Sequence, residues 1–352
     1  MDATNTLSME KMLHFAYKNN ASDLHVTAGI TPIVRINGRL KKIGTKNLAH
    51  NETMQLVKEI TTEEQLACFH HARELDFSYA LPGICRFRVN LYMQRGSAGI
   101  VCRIINSKIP TLDSLKLPLI TKELAKKTQG ILLVTGPTGS GKSTTLAAII
   151  DYINENCSKH ILTLEDPIEY LHSHKNSIIN QREIGQDSKS FSVALRAALR
   201  QDPDVILVGE MRDLDTIQTA ITAAETGHLV LATLHTTSAA QTIDRIIDVF
   251  PAEQQQQIRI QLANTLTGVI SQRLLPTADS RGRVAALEIV VSNNAVANLI
   301  RSNKIHQIQT VIETSKAQGM QSLNQAVTHL VKQGLVTQGI ADEYIPDWNY
   351  YE

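Results

Sequence analysis

The sequence predicts an α/β fold in which a central, mostly parallel β-sheet follows a smaller α+β domain. After residue 120 the apolar residues gather in short, almost continuous runs, and amphipathic helical segments separate these runs. Strands that are buried on both faces, as in parallel sheets, have this character. The four predicted strands cover residues 131–135, 161–164, 205–208 and 229–233. One helix between them has an apolar stripe formed by Phe191, Ala194, Leu195, Ala198 and Leu199 and ends before Pro203.

The first hundred residues have a mixed pattern that is typical of a small α+β domain. One helical face carries Met9, Met12, Leu13 and Ala16; residues 33–38 indicate a hairpin, and residues 86–94 alternate like a strand. Residues 107–118 contain two prolines among polar residues, which favours a linker. A chain of 352 residues is long enough for two domains. We therefore predict an N-terminal domain over 1–106, a linker over 107–120 and the α/β domain over 121–352.

The composition excludes several classes of protein. With 43% hydrophobic and 20% charged residues, the chain lacks the composition of a disordered protein. Its 35 basic and 34 acidic residues leave a net charge of +1, which gives no overall attraction to nucleic acid or anionic lipid. The four cysteines form no CxxC pair, and no stretch approaches the roughly 18 apolar residues of a membrane-spanning helix. We expect a cytoplasmic protein with reduced thiols and no direct contact with nucleic acid.

The first predicted strand of the α/β domain runs directly into a glycine-rich phosphate loop. The loop fits G-x-x-x-x-G-K-[ST] and lies between a strand and a helix, the context in which this motif binds nucleotide phosphates. Its N–H groups would bind phosphate oxygens, Lys142 would reach the β- and γ-phosphates of ATP, and the Ser143 hydroxyl would bind Mg²⁺. The alternative is a glycine-rich turn that contains Lys-Ser by chance. The loop comprises Gly136, Pro137, Thr138, Gly139, Ser140, Gly141, Lys142, Ser143 and Thr144.

Acidic residues follow two other predicted strands. Glu165 ends the second strand and Glu210 follows the third. Since ligands bind at the carboxyl ends of parallel strands, both should lie near the phosphates. Glu165 is our candidate for the base that activates the attacking water, and Glu210 is our candidate for the acid that holds Mg²⁺. The two roles could be exchanged, and the Glu-Asp-Pro triplet at residue 165 is by itself also typical of a helix cap.

Two histidines flank the fourth predicted strand. His228 precedes it and His235 follows it. The position of His235 at the carboxyl edge suits detection of the γ-phosphate, whereas a lone histidine in either place is often only structural.

Several motifs together resemble the type IV pilus retraction ATPases of the secretion-ATPase superfamily. In the predicted α/β domain they are GPTGSGKSTTLAAIIDYIN, HILTLEDPIEY, INQREI, ALRAALRQDPDVILVGEMRDLDT, AAETGHLVLATLHTTSAAQTIDRIIDVFP and, near the C-terminus, GMQSLNQA. In the predicted N-terminal domain they are ASDLHV and RFRVN. The resemblance covers nearly the whole chain. It implies a PAS-like N-terminal domain, a RecA-like ATPase domain and a homo-hexameric ring.

The resemblance also implies roles for individual residues. Residues 165–169 would form the acidic box, Glu210 the Walker B acid, and His228 and His235 the histidine box. Arg86, Arg88 and Arg103 match basic positions that help to close the nucleotide site, although one or more could serve only in interface salt bridges.

The function implied by the resemblance is ATP-driven retraction of a type IV pilus, which underlies twitching motility and DNA uptake. The motor would act at the cytoplasmic face of the inner membrane, on the pilus platform protein and alongside a retraction ATPase paralogue. Two departures concern the C-terminal part: residues 295–302 read AVANLIRS where the family commonly has AIRNLIRE, and Leu287 stands where it often has histidine.

Four alternatives remain open from the sequence. A pilus-extension or type II secretion ATPase would resemble a longer chain with a four-cysteine metal motif, which is absent. The two departures would suit an accessory retraction paralogue. Against a non-catalytic ATP-binding assembly protein, the chain keeps Lys142, Ser143, Glu165 and Glu210 intact. A DNA-pumping RecA-type enzyme would be expected to carry a basic, aromatic-interleaved stretch, and none stands out.

Overall fold

The computed structural model describes residues 8–36, 38–82, 84–105, 108–280 and 282–345. The chain divides into two compact units, one of residues 1–108 with 169–171 and the other of residues 109–168 with 172–352. The predicted boundary between residues 106 and 107 lies outside the described residues. Within the rest of the predicted linker, residues from 109 onward belong to the second unit. Leu112 and Leu117 are buried in its core, which explains why this segment packs against the unit.

In the described residues the first unit has an antiparallel sheet and three helices, in agreement with the predicted small α+β domain. The helix α1 begins after Ser8, whose hydroxyl accepts a hydrogen bond from the Lys11 amide, and its predicted apolar face is buried. The predicted hairpin is formed by β2 and β3, with residue 37 outside the described part. The elements are α1 (Met9–Lys18), β1 (Asp23–Val26), β2 (Ile33–Ile36), β3 (Arg39–Lys42), α2 (His50–Ile60), α3 (Glu63–Ala72), β4 (Glu74–Leu81), β5 (Cys85–Gln94) and β6 (Ser97–Ile105). The strand order is β3-β2-β1-β6-β5-β4.

The second unit is built around a seven-stranded sheet. Its first half contains α4 (Ile120–Ala125), β7 (Gly130–Thr135), α5 (Lys142–Asn156), β8 (His160–Glu165), β9 (Ile178–Glu183), α6 (Phe191–Ala198), β10 (Val205–Val208), α7 (Leu214–Glu225) and β11 (Leu229–Leu234). Its second half contains α8 (Ala239–Asp248), α9 (Ala252–Thr265), β12 (Leu266–Pro276), β13 (Arg283–Val291), α10 (Asn294–Arg301), α11 (Ile308–Thr314), α12 (Leu323–Lys332) and α13 (Gln338–Tyr344).

The sheet of the second unit is parallel except at one edge. Its strand order is β13-β12-β7-β11-β10-β8-β9, and only the pair of β12 and β13 is antiparallel. The predicted mostly parallel sheet is thus confirmed, and the four predicted strands are β7, β8, β10 and β11. The sequence analysis missed β9, β12 and β13.

Helices cover both faces of this sheet. On β7, Ile131 and Leu133 pack with the apolar cluster that includes α6 to α10, whereas Leu132 and Val134 pack with the cluster of α4 and α5. Successive strand residues point to opposite faces, so both faces are buried and the strands are apolar throughout. Leu287, one of the two departures from the family pattern, is 2% exposed in the second of these clusters.

Among the described residues, no helix combines the length and the apolar character needed to cross a bilayer.

Candidate nucleotide-binding site

The phosphate loop connects β7 to α5 through residues 136–141. Two of its glycines are required by their surroundings and their backbone conformation. A Cβ atom on Gly136, at φ +145°, would lie 2.3 Å from the carbonyl oxygen of Gln272. One on Gly141, at φ +87°, would lie 2.8 Å from the Gln272 side-chain nitrogen. A larger residue at Gly136 would clash with the main chain of β12, and one at Gly141 would displace the Gln272 side chain and strain the left-handed backbone.

Lys142, the first residue of α5, folds back over the loop. Its amine donates hydrogen bonds to the carbonyl oxygens of Gly136 at 2.9 Å and Pro137 at 3.1 Å. The positive charge is therefore held against the loop that would receive the phosphates. The helix that starts here has 15 residues, and its N-terminus adds a partial positive charge at the same place.

His235 connects Lys142 to Glu210. The Lys142 amine lies 3.5 Å from Nδ1 of His235, and Nε2 of His235 lies 3.1 Å from a carboxylate oxygen of Glu210. The guanidinium of Arg212 contacts the same oxygen at 2.7 Å. The structure thus brings together three of the residues singled out from sequence, which follow three different strands. It also adds Arg212, which was not predicted to belong to the site.

Glu210 is ionised at neutral pH in this arrangement. Partial burial alone would raise the pKa of Glu210, but the hydrogen bond from Arg212 and the nearby charge of His235 bring it below its ordinary value. A carboxylate that keeps its charge is the form needed to bind a cation.

Glu165 lies farther from the phosphate loop than Glu210 along the sheet. From β7 the neighbouring strands are β11, β10 and β8, which end near His235, Glu210 and Glu165 respectively. At about 4.8 Å per strand, β8 is about 14 Å from β7. Glu165 accepts hydrogen bonds from the hydroxyl of Thr163 at 2.6 Å and the amide of Gln181 at 3.2 Å. These contacts orient the carboxylate, and they were not foreseen from sequence.

Gly209 sets the spacing of the two strand ends that carry the glutamates. Its amide donates to the carbonyl oxygen of Leu164 at 2.8 Å. A Cβ atom at this position would lie 3.0 Å from that oxygen and 3.3 Å from the Cα atom of Glu165. A side chain at this position would therefore crowd the main chain at the end of β8.

His228 is not brought together with the other candidate residues. It precedes β11 and His235 follows it, so about seven residues of extended chain, or about 23 Å, separate the two. The Nδ1 atom of His228 lies 2.9 Å from the carbonyl oxygen of Ala223, near the end of α7. This contact is a structural one, and a catalytic role of His228 stays a prediction.

The three arginines singled out by the family resemblance lie together on strands of the first unit. Arg88 on β5 is directly opposite Arg103 on β6, and Arg86 is two residues along β5 on the same face. The Arg103 guanidinium donates to the carboxylate of Asp23 on β1 at 3.0 Å. Their proposed action on the nucleotide stays a prediction.

The residues predicted to hold Mg²⁺ have suitable donor atoms. Mg²⁺ prefers oxygen ligands, and it is commonly held by one or two protein oxygens together with phosphates and water. Ser143 offers a partly exposed hydroxyl in the first turn of α5, and Glu210 offers an ionised carboxylate. These two residues would hold the ion. Among the described residues, no group of three or more histidine, cysteine or acidic side chains is arranged to hold a metal.

A cavity of about 430 Å³ in the second unit adjoins the phosphate loop. It is lined on one side by Gly141, Thr144 and Thr145, at the start of α5, and elsewhere by Leu115, Leu117, Leu274 and Leu335 and by the charged side chains Lys116 and Arg283. A cavity with both apolar and polar lining beside a phosphate loop suits the base and ribose of a nucleotide.

Filling this cavity is expected to weaken nucleotide binding. In Leu274→Trp, the larger side chain would occupy the space that the base requires, and we expect the Kd for ADP to rise by about tenfold or more, a loss of about 1.4 kcal/mol. Isothermal titration calorimetry would measure the change. Leu274→Met conserves the side-chain volume and should bind ADP normally. Normal ADP affinity in the tryptophan variant would show that the base binds elsewhere.

The fold and the site together define a P-loop ATPase. A phosphate loop, an ionised acid two strands away and a histidine between them occupy the carboxyl edge of a mostly parallel sheet. The chain belongs to the family described as "Type II/IV secretion system protein", whose model matches residues 2–344.

The chain is also similar to individual proteins that are linked by name to type IV pili and twitching motility. The chain is 48% identical to "Type IV pilus retractation ATPase PilT" of Pseudomonas aeruginosa, over 96% of this chain and 98% of the relative. It is 52% identical to "Twitching motility protein" of Neisseria gonorrhoeae, over 87% of this chain and 82% of the relative. It is 42% identical to "Type IV pilus ATPase PilU" of Pseudomonas aeruginosa, over 94% of this chain and 87% of the relative.

A solved structure has the same fold. "Crystal Structure of the Pilus Retraction Motor PilT and Bound ADP" matches with a TM-score of 0.91 and 48% identity, over 97% of this chain and 98% of the other.

Proposed function

We propose that this protein hydrolyses ATP to power the retraction of a type IV pilus. The observation that carries the proposal is the coincidence of two features in one chain. A phosphate-loop lysine, a histidine and an ionised acid are linked at one sheet edge. The chain also matches a retraction ATPase over 96% of its own length and 98% of the relative's.

In the proposed mechanism each residue has a separate task. Lys142 neutralises charge on the β- and γ-phosphates, and the start of α5 binds phosphate oxygens through its free N–H groups. Ser143 and Glu210 would hold Mg²⁺, which would supply further positive charge for the phosphoryl transfer. Glu165 orients and deprotonates the attacking water. The exchange of roles between Glu165 and Glu210 stays open.

His235 is suited to report the state of the γ-phosphate to the acid. It lies between Lys142 and Glu210. A change in the phosphate charge beside Lys142 would therefore change the electrostatic potential at the imidazole, which contacts the Glu210 carboxylate. Hydrolysis and phosphate release remove negative charge from the lysine side. Such a difference in interaction between nucleotide states is what a motor needs in order to drive motion.

Membership of this family supports a proposal for the assembly and surroundings of the motor. We propose a homo-hexamer at the cytoplasmic face of the inner membrane, where ATP is available, that turns the pilus platform protein. It reaches the membrane only through partners, can work beside a retraction ATPase paralogue, and makes no direct contact with nucleic acid. Arg86, Arg88 and Arg103 would add positive charge to the nucleotide site, as the family resemblance implies.

A second candidate is an accessory paralogue within the retraction machinery. Leu287 and the segment 295–302 depart from the pattern common in retraction ATPases. Against this candidate, the identity to the PilU relative is 42%, below the 48% to the PilT relative of the same organism. Leu287 also packs in the core instead of presenting a polar group.

Deletion of the gene tests the proposed function. Cells with fluorescently labelled pili should still extend pili but lose retraction events, so that surface pili persist and twitching stops. Expression of the wild-type chain from a plasmid is the control. Cells without any surface pili would indicate an extension ATPase instead, and normal retraction in the deletion strain would favour the accessory paralogue.

A further inference from the structure

The side chain of Gln272 joins the phosphate loop to the helix that follows it. Gln272 lies on β12 and is 3% exposed. Its amide nitrogen donates a hydrogen bond to the carbonyl oxygen of Ser140 at 2.6 Å, and its amide oxygen accepts one from the hydroxyl of Thr145 at 2.8 Å. Ser140 belongs to the loop and Thr145 to the first turn of α5. One buried side chain therefore holds both sides of the loop-to-helix junction.

The loop is packed against this residue without spare room. A Cβ atom on Gly136 would lie 2.3 Å from the backbone oxygen of Gln272, and one on Gly141 would lie 2.8 Å from its side-chain nitrogen. Both of these loop glycines thus lie against the same residue. The conformation of the loop is set from β12 as well as by its own sequence.

The neighbouring residue on β12 holds the other end of the phosphate motif. The hydroxyl of Ser271 lies 2.9 Å from the hydroxyl of Thr135, the last residue of β7. Successive strand residues point to opposite faces of a sheet. Ser271 therefore contacts the strand before the loop on one face, and Gln272 contacts the helix after the loop on the other face.

We propose that Gln272 is a positioning residue that holds the phosphate loop in the conformation that receives the nucleotide phosphates. The inference rests on the proposed function in that the ligand of this loop is ATP or ADP. A loop that is already in its bound conformation spends less free energy on ordering when the ligand binds. Loss of the Gln272 amide would leave the Ser140 carbonyl and the Thr145 hydroxyl buried without this partner, which favours rearrangement of the loop.

The test is the ADP affinity of Gln272→Met, which keeps the length of the side chain and removes both polar atoms. We expect the Kd for ADP to rise by about tenfold, the effect of leaving one buried group unpaired. The phosphates are held similarly before and during the reaction, so KM for ATP should rise in parallel while kcat changes by less than about twofold. A purely structural role would not separate KM from kcat in this way.

Thr145→Val tests the same contact from the helix side. Valine has nearly the same shape but cannot donate to Gln272, and we expect a smaller rise in the Kd for ADP, about threefold. In the double variant the two effects should not add, because both substitutions remove the same hydrogen bond. This variant also covers the case in which Gln272→Met fails to fold.

Gln255→Met is the matched control. The Gln255 amide donates to the backbone oxygen of Phe250 at 3.1 Å, in the first turn of α9 in the same unit. It should lose a comparable hydrogen bond and leave ADP affinity unchanged. The inference is overturned if Gln272→Met is folded and binds ADP within twofold of wild type, or if Thr145→Val does so when Gln272→Met does not fold. Failure of the wild-type chain to bind ADP would instead overturn the proposed function.

Discussion

Replacement of Lys142 by alanine is expected to lower ATP turnover by about 10²–10³-fold and to weaken nucleotide binding, which is the size of effect seen when one preorganised donor to a transition-state charge is removed. The Lys142 amine is held over the loop by two carbonyl groups and is close to His235. Without it, the charge of the β- and γ-phosphates would lack its nearest side-chain cation. Phosphate release and ADP titration with purified protein would measure the two effects.

Lys159→Ala is the matched control for this experiment. Lys159 precedes β8, at the end of the sheet away from the phosphate loop, and forms an ion pair with Asp204 at 3.0 Å. It is the same substitution in the same unit, and turnover should stay near that of wild type. Equal turnover in Lys142→Ala and wild type would contradict ATP hydrolysis at this loop.

The second large effect is expected from the two glutamates. Glu165→Gln and Glu210→Gln should each reduce turnover by about 10²–10⁴-fold, the usual contribution of a general base, while ADP still binds. Glutamine keeps the size of the side chain and removes the charge. Measured together, the variants also decide which acid is the base. The one that holds Mg²⁺ should shift the Mg²⁺ concentration needed for half-maximal activity, and the base should not.

The Glu225→Gln variant controls for the loss of a surface charge. Glu225 is exposed at the end of α7 and contacts Gln261 at 2.9 Å. Its turnover should be unchanged. Near-normal hydrolysis in both Glu165→Gln and Glu210→Gln would remove the catalytic assignment of these acids.

In the second unit, the strands that could be predicted from sequence are those that are mostly apolar. Strands β7, β8, β10 and β11 are short, buried and mostly apolar, so that local composition is sufficient to find them. Strand β12 was not predicted because Ser271 and Gln272, which are polar although buried, interrupt its apolar sequence. Their partners, Thr135, Ser140 and Thr145, are more than a hundred residues away in the sequence, and no local pattern reveals such pairs.

In the site, too, features with a local sequence pattern could be predicted, and features that depend on distant parts of the chain could not. The phosphate loop has a sequence motif, and Glu210 and His235 follow predicted strands, so their proximity to the loop followed from the topology of a parallel sheet. The order in which they approach the loop required the strand order, which a sequence does not contain. His228 and His235 are separated by a strand of six residues, and the assignment of both to one site rests on the family resemblance and stays a prediction for His228.

The absence of a side chain at Gly209 bears on both acids at once. Any substituent there would press on the backbone of Leu164 and Glu165, and the neighbouring strand would have to yield by a few tenths of an ångström. Because the obstacle is main chain, no rotation of a flexible side chain could relieve it. A substitution at Gly209 is therefore expected to shift Glu165 as well as the adjacent Glu210.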